Sequence, residues 1–132
     1  MDATVGIVLV SHSAKLAEGV AELLEQLGAR PGSVVVAGGG PDGGLGTSPD
    51  LVAEAVARAD RGAGVVVIPD IGSAVLTARL VLEDEPGEGA VLVDAPFVEG
   101  AVAAGVLAAT GAALEAVVSA AREAYTVPKF QA

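Results

Sequence analysis

Residues 5–13 read Val-Gly-Ile-Val-Leu-Val-Ser-His-Ser, an apolar run of strand length followed by three polar side chains. The run predicts a β-strand from Thr4 to Val10, and a helix-like pattern begins directly after it. His12, the single histidine of the chain, therefore lies where the first strand gives way to the first helix. Phosphoryl and acyl chemistry in α/β proteins collects at such strand ends, where the next helix presents unpaired backbone N–H groups to an anion. His12 is a candidate covalent phosphate carrier.

The rest of the sequence alternates short apolar runs with longer amphipathic ones, which is typical of a layered α/β domain. We expect a mostly parallel sheet of four strands, with a possible further edge strand and with helices on both faces. The predicted strands are 4–10, 34–37, 65–68 and 90–93, and the predicted helices are 14–27, 49–59, 74–82, 100–109 and 114–125. The third strand has no polar interruption, so we expect it in the middle of the sheet. Residues 1–132 have the length of one domain.

Several finer features follow from the same patterns. Leu16, Val20, Leu23, Leu24 and Leu27 repeat at helical spacing and predict the buried face of the first helix, with Glu18, Glu22 and Glu25 facing water. In the last helix, Val117, Val118 and Ala121 are predicted to face inward. Residues 83–89 are expected to form an acidic surface loop, and the chain from Thr126 onward is expected to be a frayed tail.

The composition excludes several classes of function. Seven Lys and Arg against 17 Asp and Glu give a net charge of −10, which repels nucleic acid and anionic lipid. The chain has no cysteine and one histidine, so no metal site is predicted, although carboxylates alone leave a magnesium site open. No apolar stretch approaches the roughly 20 residues of a membrane span, and no secretory signal is apparent. We therefore expect a cytoplasmic protein that contacts neither nucleic acid nor membrane.

Three segments follow the carboxyl ends of predicted parallel strands: residues 10–13, 38–48 and 69–73. Because all parallel strands point the same way, these segments are expected to share one edge of the sheet. They would bring together the imidazole of His12, the carboxylate of Asp70, several hydroxyl groups, and glycines that let backbone N–H groups approach an anion. An imidazole nitrogen can attack phosphorus directly, and a neighbouring carboxylate can orient the ring and stabilise its cationic form.

Structural roles compete with these functional ones. His12 could be a capping or turn residue, and Asp70 is as readily a helix cap as a catalytic group. Thr47 and Ser48 are natural N-caps of the helix that follows, a role that is compatible with phosphate contact. Lys15 is a solvated charge unless it has a partner, as is Arg79.

Other known motifs fit poorly. Gly38, Gly40 and Gly43 have the spacing of a dinucleotide-binding turn, but Pro41 lies inside it and the following helix begins several residues later. The sequence contains neither a P-loop nor the G-x-S-x-G turn of hydrolases. A receiver domain phosphorylated on Asp70 would need an acidic pair after the first strand, where this chain has serines and a histidine.

Five segments together resemble the phosphotransfer subunit of bacterial dihydroxyacetone kinase, which is similar to the mannose-type enzyme IIA domain of the sugar phosphotransferase system. The segments are Ile-Val-Leu-Val-Ser-His-Ser (7–13), Leu-Ala-Glu-Gly-Val (16–20), Gly-Leu-Gly-Thr-Ser (44–48), Asp-Ile-Gly-Ser-Ala (70–74) and Ala-Pro-Phe-Val-Glu-Gly-Ala (95–101). The resemblance covers about residues 4–125, in register with each predicted element.

The resemblance implies a homodimer in which His12 is the phosphohistidine and Asp70 lies beside it. The residues expected to support the phosphate site are Ser13, Gly46, Thr47, Ser48, Gly72 and Ser73. No cofactor is implied, because phosphate is carried covalently while the partner holds ADP or ATP. The implied donor is the phosphocarrier HPr, and the implied acceptor is ADP on the nucleotide-binding subunit of the kinase.

We therefore expect a phosphotransferase subunit of a phosphoenolpyruvate-dependent dihydroxyacetone kinase. Two alternatives stay open. A mannose-type sugar-transport component would pass phosphate to another histidine protein, and a regulatory α/β module would use its phosphorylation state or its dimer surface without catalysis. The sequence does not decide which imidazole nitrogen carries phosphate.

Overall fold

The computed structural model describes residues 3–84 and 89–130. The elements in chain order are β1 (Gly6–Ser11), α1 (Ala14–Gln26), β2 (Val34–Gly38), α2 (Pro49–Ala59), β3 (Val65–Pro69), α3 (Gly72–Asp84), β4 (Ala90–Leu92), α4 (Phe97–Ala109) and α5 (Leu114–Glu123). A short 3₁₀ turn over Ala124–Thr126 follows α5. Each predicted strand and helix is present.

The strands form one parallel sheet in the order β2-β1-β3-β4. Val8, in the middle of β1, pairs with Val35 on one side and with Val67 on the other. The predicted four-stranded parallel sheet is confirmed, and β3 is an interior strand that is buried along its whole length. No fifth strand occurs at either edge within the part of the chain that the structure describes.

Helices cover both faces of the sheet, as the sequence predicts. Ile7 and Leu9 of β1 point into a core layer shared with α1, α4 and α5. Val8 and Val10 point into the opposite layer, which is shared with α2 and α3. The inward positions predicted for α5 are correct, because Val117, Val118 and Ala121 are all buried. Both faces of β1 are thus dry, which is the usual environment of a strand inside a parallel sheet.

The predicted buried face of α1 is correct at Val20 and Leu24 but wrong at the three other leucines. Leu16, Leu23 and Leu27 are exposed by 44%, 40% and 47%. The buried positions are Ala17, Val20, Ala21 and Leu24, whereas the three predicted glutamates are exposed as expected. Small side chains let the helix lie close to the sheet. Leu24 packs directly against Gly105 of α4, where a Cβ would lie only 2.9 Å from Leu24 Cγ.

Several helix boundaries differ from the predictions. α4 begins at Phe97 rather than Gly100, since the Gly100 N–H donates to the Pro96 carbonyl at 2.7 Å and closes the first turn. Gly100 is a packing position within the helix, where a Cβ would lie 2.7 Å from Ala95 Cβ. α3 begins at Gly72 and continues to Asp84, so the start of the predicted acidic loop is helical, while residues 85–88 lie outside the described residues. The predicted frayed tail, from Thr126 onward, has contacts with the helices: the Thr126 hydroxyl donates to the Glu123 carbonyl at 2.8 Å, and the Lys129 ammonium donates to the Glu99 carboxylate.

Candidate functional site

The loops after β1, β2 and β3 meet at the carboxyl edge of the sheet. The Asp70 N–H donates to the Val10 carbonyl at 2.9 Å, which joins the third loop to the end of the first strand. The Gly46 N–H donates to the His12 carbonyl at 3.0 Å, which joins the second loop to the first. The three segments predicted to share one edge are therefore in direct contact, and His12 lies between the other two.

A glycine at the end of β2 lets helix α1 start directly beside the site. A Cβ on Gly38 would lie 2.6 Å from the Ala14 Cα, which is closer than real Cβ contacts come. The N-cap of α1 is Ser13, whose hydroxyl accepts the Leu16 N–H at 3.2 Å. His12 is thus the residue before the cap, and its side chain is free for a role other than capping.

Asp70 contacts both the ring and the backbone of His12. Its Oδ1 lies 3.0 Å from His12 Nδ1, and its Oδ2 accepts the His12 backbone N–H at 3.1 Å. An ionised carboxylate can only accept hydrogen bonds, so the neutral ring carries its proton on Nδ1 and leaves a lone pair on Nε2. The His12 side chain is 23% exposed and the Asp70 side chain 8%. The pair is thus shielded on the Asp70 side and open on the ring side.

Asp70 is held in its ionised form by donors on both oxygens. Burial raises the pKa of Asp70, but hydrogen bonds from the Ser11 hydroxyl, the Ile71 N–H and His12 outweigh burial, so the pKa lies below its ordinary value. The Ser11 Oγ to Oδ2 distance is 2.8 Å and the Ile71 N to Oδ1 distance is 2.7 Å. A carboxylate that stays charged beside an imidazole stabilises any positive charge that develops on the ring.

The other ring nitrogen faces the start of α3. Ser73 Oγ is in hydrogen-bond contact with His12 Nε2, and Ser73 lies in the first turn of the helix that begins at Gly72. A helix N-terminus attracts anions through its unpaired N–H groups and its dipole, an interaction worth roughly 0.3 to 2 kcal/mol. The arrangement can therefore accept an anionic group at Nε2, with a hydroxyl and a helix start on the same side.

The remaining predicted site residues lie near His12 but have other side-chain partners. Thr47 Oγ1 lies 2.7 Å from Thr77 Oγ1 of α3, and Ser48 is the N-cap of α2, where its hydroxyl accepts the Leu51 N–H at 3.3 Å. Gly46 contacts His12 through its backbone alone. The competing interpretation of Ser48 as a helix cap is therefore correct, while Thr47 instead links its loop to α3.

Two residues at this edge were missed by sequence reasoning. Ser11 is fully buried and its hydroxyl donates to Asp70. The signal that could have found it is a lone polar side chain that closes an otherwise apolar strand. Thr77 pairs with Thr47 across 30 positions of sequence, and no local pattern marks it.

Within residues 3–84 and 89–130, no group of three or more His, Cys, Asp or Glu side chains is placed to hold a metal ion. No helix in these ranges is long and apolar enough to cross a membrane.

Residues 6–118 match the family model EIIA-man, described as the PTS system fructose IIA component. A protein of Listeria innocua, named PEP-dependent dihydroxyacetone kinase 2, phosphoryl donor subunit DhaM, is 36% identical over 86% of this chain and 93% of its own length. A protein of Klebsiella michiganensis, named as the corresponding DhaM subunit, is 38% identical over 96% of this chain. This chain spans only 28% of the Klebsiella protein.

Solved structures agree with the fold. A crystal structure titled "unknown function protein EF1359" has a TM-score of 0.79 and 32% identity, and the match covers 91% of this chain and 94% of that one. A sigma-54 interaction domain protein from Enterococcus faecalis shares the fold at a TM-score of 0.61 and 16% identity, over 90% of this chain and 88% of its own. The chain therefore belongs to the EIIA-man family and is DhaM-like in sequence.

Proposed function

We propose that the chain is a phosphohistidine carrier of a phosphoenolpyruvate-dependent dihydroxyacetone kinase. In this proposal, His12 accepts a phosphoryl group from HPr and delivers it to ADP held by the nucleotide-binding subunit of the kinase. The names of the Listeria and Klebsiella relatives support the kinase, and the family description supports a link to the phosphotransferase system. The observation that carries the proposal is the His12 ring itself, which has Nδ1 against Asp70 and Nε2 on the open side.

The proposed loading step is a displacement at phosphorus. The lone pair of Nε2 attacks the phosphorus atom, the new N–P bond forms, and the bond to the donor breaks with its electron pair returning to the donor. The ring gains positive character during this step, and the Asp70 carboxylate at Nδ1 stabilises it. Ser73 Oγ, which contacts Nε2 in the unphosphorylated protein, gives way and can then donate to a phosphoryl oxygen.

Delivery reverses the same bond changes. A terminal phosphate oxygen of ADP attacks the phosphorus, and the N–P bond breaks with its electron pair returning to Nε2. Because the imidazole leaves as a neutral ring with Nδ1 still protonated, no proton has to move during the transfer. The protein needs no cofactor of its own in this scheme, since the nucleotide belongs to the partner.

We also propose where the protein acts and how many copies assemble. Residues 1–132 act as one phosphocarrier domain in the cytoplasm, and two copies form a homodimer. The mass of the purified chain in solution tests the dimer directly, and a monomer at working concentration would contradict that part alone.

The experiment is a labelling and chase with purified components. Enzyme I, HPr and labelled phosphoenolpyruvate are added to the chain, and the ADP-loaded nucleotide-binding subunit is then supplied. We expect label on His12 to move to the nucleotide. Label that moves only to another histidine protein would favour the sugar-transport alternative, and label that stays on His12 would favour a regulatory module.

A further inference from the structure

Ser11 is a buried hydroxyl placed between the end of β1 and the carboxylate of the site. It is the last residue of β1, it pairs with Gly38 of β2, and its relative exposure is 0%. A serine buried this deeply needs partners for its hydroxyl, because an unpaired polar group away from water is costly. The hydrogen-bond partners of the Ser11 hydroxyl therefore indicate its role.

The hydrogen bonds of Ser11 have a defined direction. Its Oγ accepts the Ser13 backbone N–H at 3.0 Å, and its own proton is donated to Asp70 Oδ2 at 2.8 Å. Ser11 thus connects the N-cap of α1 to the carboxylate that holds the imidazole. Within the described residues, the hydroxyl contacts Asp70 and the Ser13 backbone and not the ring of His12.

The contact with Ser11 also fixes the rotation of the carboxylate. Oδ2 is shared by the Ser11 hydroxyl and the His12 backbone N–H, and Oδ1 is then left for the Ile71 N–H and the imidazole Nδ1. Each oxygen has two donors, so turning the carboxylate would leave donors unmatched. Removing the hydroxyl takes away the only side-chain donor on Oδ2 among the described contacts, and leaves the Ser13 N–H without its acceptor.

We propose that Ser11 is a positioning residue for phosphoryl transfer: through Asp70 Oδ2 it fixes the carboxylate so that His12 keeps its proton on Nδ1 and its lone pair on Nε2. The inference rests on the proposed function, since it assigns a role within the same site. It predicts that loss of the hydroxyl alters the imidazole, with which Ser11 shares only the Asp70 carboxylate, and does not merely weaken the fold.

The test compares Ser11→Ala with Ser33→Ala. Ser33 is also a buried serine, 6% exposed, and donates to the Arg30 carbonyl at 2.7 Å just before β2, at the opposite edge of the sheet. Both variants lose one buried hydroxyl, so both are expected to lower the melting temperature to a similar extent. A general effect of destabilisation would appear in both of them.

The first readout is the long-range ¹H–¹⁵N spectrum of the imidazole, which is unambiguous because the chain has one histidine. We expect the wild type and Ser33→Ala to show the Nδ1–H tautomer, and Ser11→Ala to show a mixture with the Nε2–H form. The second readout is the rate of phosphorylation by phospho-HPr, which should fall about tenfold in Ser11→Ala only, as expected for loss of a hydrogen bond to a charged group.

Ser11→Thr keeps the hydroxyl and should recover the wild-type tautomer if it folds. A wild-type tautomer in folded Ser11→Ala would overturn the proposal, as would equal rate losses in Ser11→Ala and Ser33→Ala. The tautomer readout needs no donor or acceptor. A wild-type chain that HPr fails to phosphorylate would therefore count against the proposed function, while the spectrum would still decide the role of Ser11.

Discussion

The loops after β1 and β3 differ from the loop after β2 in how they reach the site. The first two meet through side chains: Ser11 and His12 both contact the Asp70 carboxylate, and Ser73 contacts the His12 ring. The loop after β2 contacts His12 through the Gly46 backbone, and its hydroxyls bond to Thr77 and to the Leu51 N–H. The functional side chains are therefore concentrated between β1 and β3, while the glycine-rich loop contributes a backbone contact to His12. Substitutions in the two regions should therefore have very different effects.

Replacing His12 with alanine should have the largest effect. We expect His12→Ala to abolish labelling by phospho-HPr, because the chain then has no imidazole left. The fold should lose no more than about 1 kcal/mol, since the ring is partly exposed and Asp70 keeps its donors from Ser11, Ile71 and the backbone of residue 12. Labelling and urea unfolding of the same preparation measure both. Persistent labelling would move the carrier to another residue.

Asp70→Asn should have the next largest effect on transfer. The amide keeps the shape of the carboxylate but removes the charge that stabilises the ring. One of the two oxygens becomes an NH2 donor, so the side chain can no longer accept the hydrogen bonds made to both Oδ1 and Oδ2. We expect phosphorylation by phospho-HPr to slow about 100-fold, within the range typical of removing one group that stabilises charge in an active site. Rapid-quench kinetics would measure the rate. A variant with wild-type kinetics would reduce Asp70 to a structural contact between the loops.

The same carboxylate predicts how stability depends on pH. The folded-state pKa of Asp70 is lowered, chiefly by the hydrogen bond from Ser11 acting against burial. A group with a lowered folded pKa contributes stability that is fully present above its unfolded pKa and is lost as pH falls through the folded value. We therefore expect the difference in unfolding free energy between wild type and Asp70→Asn to shrink from pH 7 to acid, measured by urea titrations. A constant difference over that range would contradict this.

Thr47→Val should have the smallest effect on chemistry. It removes the hydrogen bond to Thr77 and keeps a side chain of similar size, so we expect about 1 kcal/mol of lost stability. Phosphorylation should change by less than about threefold, because the hydroxyl does not face His12. The two quantities come from thermal unfolding and from the labelling rate. A loss of transfer comparable with that of Asp70→Asn would show that the comparison between the loops is wrong.

Much of the fold follows from the sequence because strand and helix periods are strong signals. The run ending at His12 fixed the first strand, and parallel pairing then required the segments around residues 38–48 and 69–73 to share its edge. The buried face of α1 was predicted correctly only at Val20 and Leu24. The rest was not predictable, because Leu16, Leu23 and Leu27 are more apolar than the alanines that pack on the sheet. Because α1 lies close to the sheet, small side chains occupy much of its buried face and larger apolar side chains lie outside it.

The site was predictable to the level of the loops but not of the hydrogen bonds. Asp70 could be expected near His12, since both follow strands that are neighbours in the sheet. The direction of each side chain was not encoded locally: Thr47 turns toward α3, and Ser11 turns toward Asp70. Those choices depend on contacts between residues 30 and 59 positions apart in the chain.

The most direct test of the proposed phosphohistidine carrier is to find which atom of His12 carries phosphate. The ¹⁵N-labelled chain is phosphorylated with enzyme I, HPr and phosphoenolpyruvate, and the imidazole nitrogens are observed by long-range ¹H–¹⁵N correlation with ³¹P coupling. We expect phosphorus to couple to Nε2 while Nδ1 keeps its proton and its hydrogen bond to Asp70. Coupling to Nδ1, or phosphate on any residue other than His12, would contradict it.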